Sequence, residues 1–340
     1  MKVWFDADNG PHVLIMRPLV RELRRQGHEV RFTACDRTST CELLDLHGME
    51  YTRVGREYPQ GMIGKIAGTL GRALGLAWAM RSWKADVSYG HSSRSLPIAA
   101  RLLGVPTPTM YDYEWVNPSL FNLCCRKILL PHPVTKDRCA EAGIAAAKVA
   151  NYPGLKEELY LRDAEFDPGV AADLGLKDDK IKVLLRPPAT RAHYHNSESE
   201  ELLAELFRIL MPNPDVQLVI LLRSPDQKEL VPSDARAEVL FPNKVYDGPS
   251  LIAAMDLMIS GGGTMTREAA VLGLPSYSYF RGKEGQVDAW LEKEGRLVLF
   301  RNVEEIESKL VVRHKPSAND YPFNRDLVPH IVEQILSVAK

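Results

Sequence analysis

Cysteine is scarce and poorly spaced for chemistry. The 340 residues contain five, Cys35, Cys41, Cys124, Cys125 and Cys139. An odd number without a Cys-x-x-Cys pair argues against a disulfide framework and against a cysteine zinc site. It predicts reduced thiols and a cytoplasmic protein. A basic excess is also missing. With 43 Lys and Arg against 44 Asp and Glu, the net charge is −1. No global field therefore draws in nucleic acid, although a local basic pocket for a small anion stays open. Long apolar runs are absent too: the longest uncharged stretch, 269–280, spans about a dozen residues, contains Pro275 and is too short to cross a bilayer. The opening "MKVWFDADNG" meets Asp6 before a signal peptide's apolar core could form. Neither a solenoid-period repeat nor a low-complexity segment is visible.

What remains is an ordinary globular composition, 45% hydrophobic and 26% charged, in a chain long enough for two cores. Short apolar runs alternate with helical patterns. "KVWF", "EVRFTA", "EYTRV", "DVSYG", "PTPTMY" and "KILLP" read as strands, with helices between them. Residues 151–169 mix proline, glycine and charge without a clean period and read as an interdomain connection. A second series follows: "IKVLLR", "VQLVILLR", "AEVLF", "LMIS", "PSYSYF" and "RLVLF", again with helices between, and then a last helix over 325–340. This pattern predicts an α/β protein of two Rossmann-like, doubly wound parallel-sheet domains facing a cleft. The expected boundaries are 1–157 for an acceptor-side domain and 158–324 for a nucleotide-sugar-binding domain. The helix 325–340 is expected to cross back to the first.

The stretch "ISGGGTMTREAAVLGLP" (259–275) is the most informative. Strand, glycine turn and helix follow one another, and Gly273 and Pro275 give the helix its stop signals. Consecutive glycines are costly to order, so bare backbone must serve a tight turn, a close helix–strand contact or a phosphate. Unpaired amides at a helix start carry partial positive charge and hold phosphate in many α/β proteins. The spacing is neither G-x-G-x-x-G nor a P-loop, which would need a lysine. Gly261, Gly262, Gly263 and Thr264 are thus diphosphate candidates. Glu268, about a turn into the helix, could accept hydrogen bonds from a ribose diol, or only compensate the helix dipole.

The segment "SGGGTMTREAAVLGLP" resembles the nucleotide-binding segment of GT-B enzymes. Those enzymes include the lipid-linked N-acetylglucosamine transferase of peptidoglycan synthesis and the UDP-N-acetylglucosamine 2-epimerase. The resemblance implies that the glycine turn meets a diphosphate, that Glu268 grips the ribose, and that Gln286, in "RGKEGQVDAWLEKEG", meets donor-sugar hydroxyls. Over nearly its whole length the chain is similar to the GT-B-like family catalogued as domain of unknown function 354, through "GPHV", "RELRRQGHEVRFTA", "LLDLHGMEY", "GLKEELYL" and "GGGTMTREAAVLGLP". Fold follows from that likeness; reaction does not.

"DNGPHVLIMRPLVRELRRQGHEVRF" resembles the opening of many GT-B glycosyltransferases, which puts His12 at the general-base position. An imidazole titrating near neutral pH suits that task. The sequence departs from the pattern in Gly10-Pro11, since proline lacks an N–H for phosphate. His28 reads as structural. Asp6 and Asp8 form a literal D-x-D, more plausibly a turn than a metal site. Asp112 and Glu114, in "YDYEW", are acid or base candidates. Where the epimerase carries an acid in "HGD", this chain has "GHSS", which weighs against epimerisation.

"LLRPPATRAHYHN" (184–196) supplies Arg186 as a diphosphate contact, with Arg191, His193 and His195 unassigned. "MIGKIAGTLGRALGLAWAMRSWK" (62–84) reads as a crossover helix that could lie on a membrane surface. The expectation is a metal-independent glycosyltransferase using a nucleotide-diphosphate sugar, UDP-linked, with no resident cofactor and an unassigned acceptor. A nucleotide-sugar epimerase or hydrolase, and a non-catalytic nucleotide or glycan binder, are the alternatives.

Overall fold

The computed structural model describes all residues except 38, 58–60, 189–196, 234, 316–318 and 340. The chain divides into two compact units, one formed by Met1–Arg162 with Phe323–Lys340, the other by Asp163–Pro322.

In the first unit, strands and helices alternate as β1 (Lys2–Ala7), α1 (Gly10–Arg25), β2 (Glu29–Asp36), α2 (Thr40–Leu46), β3 (Thr52–Arg56), α3 (Met62–Met80), β4 (Val87–His91) and α4 (Ser95–Leu102). They continue with β5 (Pro108–Met110), α5 (Ser119–Cys124), β6 (Lys127–Pro131), α6 (Lys136–Glu141), β7 (Val149–Tyr152) and α7 (Glu158–Leu161). Every pairing is parallel, in the order β3-β2-β1-β4-β5-β6-β7. β1 is buried on both faces from Val3 to Ala7, as expected of a central strand covered by helices on each side. Asn9 caps α1 by accepting the Gly10 amide, Pro11 fits its first turn, and Arg24 and Arg25 complement its C-terminal dipole.

The second unit contains α8 (Gly169–Leu174), β8 (Ile181–Arg186), α9 (Ser197–Leu210), β9 (Val216–Ile220), β10 (Glu238–Leu240) and α10 (Gly248–Ala253). It continues with β11 (Leu257–Ser260), α11 (Thr264–Val271), β12 (Ser276–Ser278), α12 (Gln286–Lys293), β13 (Val298–Leu299) and α13 (Val303–Lys309). Its parallel sheet runs β10-β9-β8-β11-β12-β13. The two faces of this sheet are covered by separate cores, one built on α9 with Leu202, Leu206 and Phe207, the other on α10 and α11 with Ile252 and Ala269.

The last helix, α14 (Leu327–Leu336), belongs to the first unit and packs on α1 and α7. Lys127 donates to Gln334 and Ser337 at 2.8 Å each, and Arg126 donates to the Val338 carbonyl at 3.0 Å.

The chain passes from the first unit to the second between Arg162 and Asp163, inside the segment 151–169 expected to connect them, and the end of β7 and all of α7 also fall within that segment. The charges at its start, Lys156, Glu157 and Glu158, are buried. Glu158 accepts the amides of Leu155 and Asn324, each at 2.8 Å, and so ties the chain together from within.

In both sheets the direction of winding reverses between two neighbouring strands, β1 and β4 in the first unit, β8 and β11 in the second. Side chains beyond the carboxyl ends of these strands are the ones a doubly wound fold offers to ligands.

Candidate functional site

Two clusters occupy those places, one in each unit. In the first, Asp8 follows β1 and His12 lies in the first turn of α1. His12 Nδ1 stands 3.1 Å from Asp8 Oδ1. The Asp8 amide is 3.4 Å from the same nitrogen, a poorer contact. A carboxylate can only accept, so the shorter contact assigns the proton to Nδ1 and leaves the Nε2 lone pair as the basic site. Burial would raise the Asp8 carboxyl, but the His12 hydrogen bond and charge outweigh it and hold it at about 2. Asp8 is therefore an anion that orients the His12 ring.

His91, the last residue of β4, meets His12 edge to face, with ring centroids 5.1 Å apart. It is 6% exposed. Burial, and next the neighbouring His12, push its imidazole well below the usual range. Its Nδ1 is buried and has no hydrogen-bond partner among the described residues. Nε2 lies 4.0 Å from Asp112 Oδ1, just past β5. Asp112 also pairs with Lys156, a buried lysine 3.1 Å from Glu157 Oε1. Asp8, His12, His91, Asp112 and Lys156 thus form one chain of ionisable groups above β1, β4 and β5. The sequence indicated His12 and Asp112. His91 and Lys156 were missed, and Asp8 was noticed only as half of a D-x-D.

That D-x-D does not act as a unit. Asp6 lies fully buried beneath the cluster, where Arg72 of α3 donates to both its oxygens at 2.9 and 2.7 Å. Thr33 and Ser93 donate at 2.7 and 3.1 Å. Its lone pairs are committed to holding α3 against the sheet. Glu114 is also placed differently from the expectation. It is 0% exposed and sits 3.7 Å from Arg138 of α6. Of the two carboxylates in "YDYEW", Asp112 is the one that contacts the cluster, through His91 and Lys156.

The second cluster surrounds the glycine turn between β11 and α11, and its three glycines have different physical reasons. The Gly261 amide donates to the Arg186 carbonyl at 3.1 Å, and a methyl built there would stand 2.6 Å from Pro188 Cα. Close backbone approach explains Gly261, and its amide is not offered to an anion. Gly262 and Gly263 have φ of 93° and 114°, values that favour glycine. Gly262 is buried under Phe280, whereas Gly263 is exposed as the N-cap of α11, with Thr264 half-buried beside it. Among the described residues, no hydrogen bond engages the Gly262 or Gly263 amide. The receptacle expected over 261–264 narrows to its last residues.

Arg186 closes β8 directly across from the turn, its carbonyl also taking the Tyr279 hydroxyl at 3.1 Å. A second arginine, missed in the sequence, touches the turn. Arg223, beyond β9, is exposed, donates to the carbonyls of Pro187 (3.0 Å) and Gly262 (3.1 Å), and lies 3.8 Å from a methyl built on Gly263. These bonds fix a guanidinium beside an exposed helix N-terminus, which together favour an anion. Glu268 is 3% exposed, with Oε2 3.7 Å from a methyl built on Gly248 at the start of α10. Gln286 is half-buried at the first position of α12. Arg267 and Asp288, 2.6 Å apart, join α11 to α12. Arg191, His193 and His195 lie outside the described residues.

Comparison with known proteins agrees with the architecture. The crystal structure of UDP-GlcNAc 2-epimerase from Neisseria meningitidis bound to UDP-GlcNAc superposes with a TM-score of 0.77 at 16% identity, covering 99% of this chain and 100% of that one. Acinetobacter baumannii MurG gives 0.54 at 16% identity, covering 99% of each chain. At such identities the likeness shows the fold, which is GT-B. In sequence, the uncharacterised protein MJ0665 of Methanocaldococcus jannaschii is 25% identical over 315 residues, 90% of this chain and 89% of its own. The profile of the protein family of unknown function DUF354 matches residues 1–340, and the chain belongs to that family.

Proposed function

We propose that this protein is a metal-independent glycosyltransferase that moves a sugar from a UDP-linked donor to a hydroxyl acceptor. The Asp8–His12 pair carries this reading, because it fixes the imidazole with its Nε2 lone pair free to take a proton. The donor is assigned to the second unit. Its diphosphate would meet Gly263, Thr264, Arg223 and Arg186, its ribose Glu268 and its sugar Gln286. The acceptor is assigned to the first unit. Its hydroxyl proton passes to His12 Nε2, the new oxygen–carbon bond forms at the anomeric centre, and the bond to the diphosphate breaks. Helix dipole and arginine stabilise the leaving charge. Solved neighbours that bind UDP or UDP-GlcNAc support the donor class.

One observation favours a second reading, epimerisation or hydrolysis of the nucleotide sugar. His91, Asp112 and Lys156 offer more proton-transfer groups than a single deprotonation needs. Incubating UDP-sugars with and without added acceptors separates the two. Transfer that requires acceptor supports the first reading; isomerised or released sugar without acceptor supports the second. In either case His12→Ala should lower turnover by about a hundred- to ten-thousand-fold while leaving UDP affinity intact. Binding without turnover across donors and acceptors, unaffected by His12→Ala, would instead make the protein a non-catalytic binder.

A further inference from the structure

α3 has two apolar faces, and the fold uses one. Ala73, Leu76 and Met80 pack inward against Trp4, Trp83, Leu96 and Ala99, while Arg72 reaches under the sheet end to Asp6. The opposite face is turned to solvent. Ile63 is 84% exposed, Trp78 69%, Leu74 63%, and Met62, Ile66 and Leu70 each at least half. Their spacing of three and four residues makes one continuous stripe along a helix about 28 Å long. Isolated surface leucines need no explanation, but a contiguous stripe of this size marks a contact surface.

We propose that the outward face of α3 docks on an anionic lipid surface, with the helix lying in the plane of the headgroups. Charge selects this partner. The 19 residues of α3 contain no aspartate or glutamate. Lys65 is exposed near its start, and Arg81 and Lys84 are exposed at its end. The Arg81 guanidinium lies over the Trp78 ring, 3.5 Å from its centroid. Apolar side chains, a tryptophan and flanking cations are what headgroup and upper acyl regions bind together. A second copy of the chain would press this face against itself, bringing cations to a helix with no acid to receive them. Spanning is a different matter: among the described residues, no helix is long and apolar enough to cross a membrane.

The test is co-sedimentation with vesicles, without substrate, so that it is independent of the proposed reaction. Wild-type protein should pellet with an equal mixture of phosphatidylglycerol and phosphatidylcholine, and should stay in solution with phosphatidylcholine alone. Leu74→Glu should lower the partition coefficient at least about tenfold, and Lys65→Glu with Arg81→Glu by about fivefold per charge. These side chains already stand in water, so the variants should keep the wild-type circular dichroism spectrum. Brominated lipid should quench tryptophan emission in wild type, and Trp78→Phe should remove most of that quenching, since Trp4 and Trp83 are buried and Trp115 and Trp290, both half-buried, lie outside α3. Failure to bind the anionic vesicles would overturn the proposal. So would Leu74→Glu binding as wild type does, or a dimer by light scattering that Leu74→Glu splits.

Discussion

His91 takes its protonation state from its surroundings. The end of β4 buries it against His12, near Asp112, Lys156 and Asp8, and the net result favours the neutral ring. An unfolded histidine titrates near about 6.5. Between the lowered native value and that one, the unfolded chain binds more protons, so stability rises with pH. The contribution is whole above the unfolded value and is lost as pH falls below it. Urea unfolding of wild type should weaken from neutral pH toward pH ~5 by up to about 1.4 kcal/mol per unit, and His91→Asn should flatten that slope. Equal slopes in the two proteins would mean that His91 accepts its proton freely in the native state. The same residue shows why part of the cluster escaped the sequence. Nothing in "GHSS" signals a role, because Asp112 and Lys156 reach His91 only through the strand order. Glu114 errs in the other direction, an apparent rim acid that the fold buries against Arg138.

The glycine turn is where an element was most legible, and where its reading needed refinement. Three adjacent glycines announced a demand for bare backbone, and the strand–turn–helix that surrounds them is present. The structure divides the demand between packing at Gly261 and left-handed backbone at Gly262 and Gly263. Gly261→Ala forces its methyl onto Pro188 and should cost about 2 kcal/mol of stability. Gly263→Ala makes only an ordinary contact, 3.8 Å from the Arg223 guanidinium, but must hold φ near 114°, a strain of about 1–2 kcal/mol. Thermal unfolding should rank Gly261→Ala as the less stable variant, and calorimetry with UDP should rank Gly263→Ala as the weaker binder. The opposite ranking would return Gly261 to the site and remove Gly263. Other elements were hidden for physical reasons. α7 is one turn whose Glu158 is internally hydrogen-bonded, and α13 is a short charged helix capped by Asn302. Apolar runs such as "KVWF" and "IKVLLR" were clear because central parallel strands bury both faces.

At the scale of the whole chain, two doubly wound sheets each present their reversal point with a different chemistry. The first unit gathers proton-transfer groups at Asp8, His12, His91, Asp112 and Lys156. The second sets an exposed helix start beside Arg223 and Arg186. That placement follows from strand order in each sheet, and it is the basis of the proposal that assigns the acceptor to one unit and the nucleotide to the other. The most direct measurement is isothermal titration of UDP into wild-type protein, Glu268→Ala and His12→Ala. The account predicts saturable binding to wild type, clearly weaker binding to Glu268→Ala, and unchanged binding to His12→Ala. No heat of binding from UDP or any other nucleoside diphosphate, or an affinity that drops with His12→Ala and ignores Glu268→Ala, would contradict it.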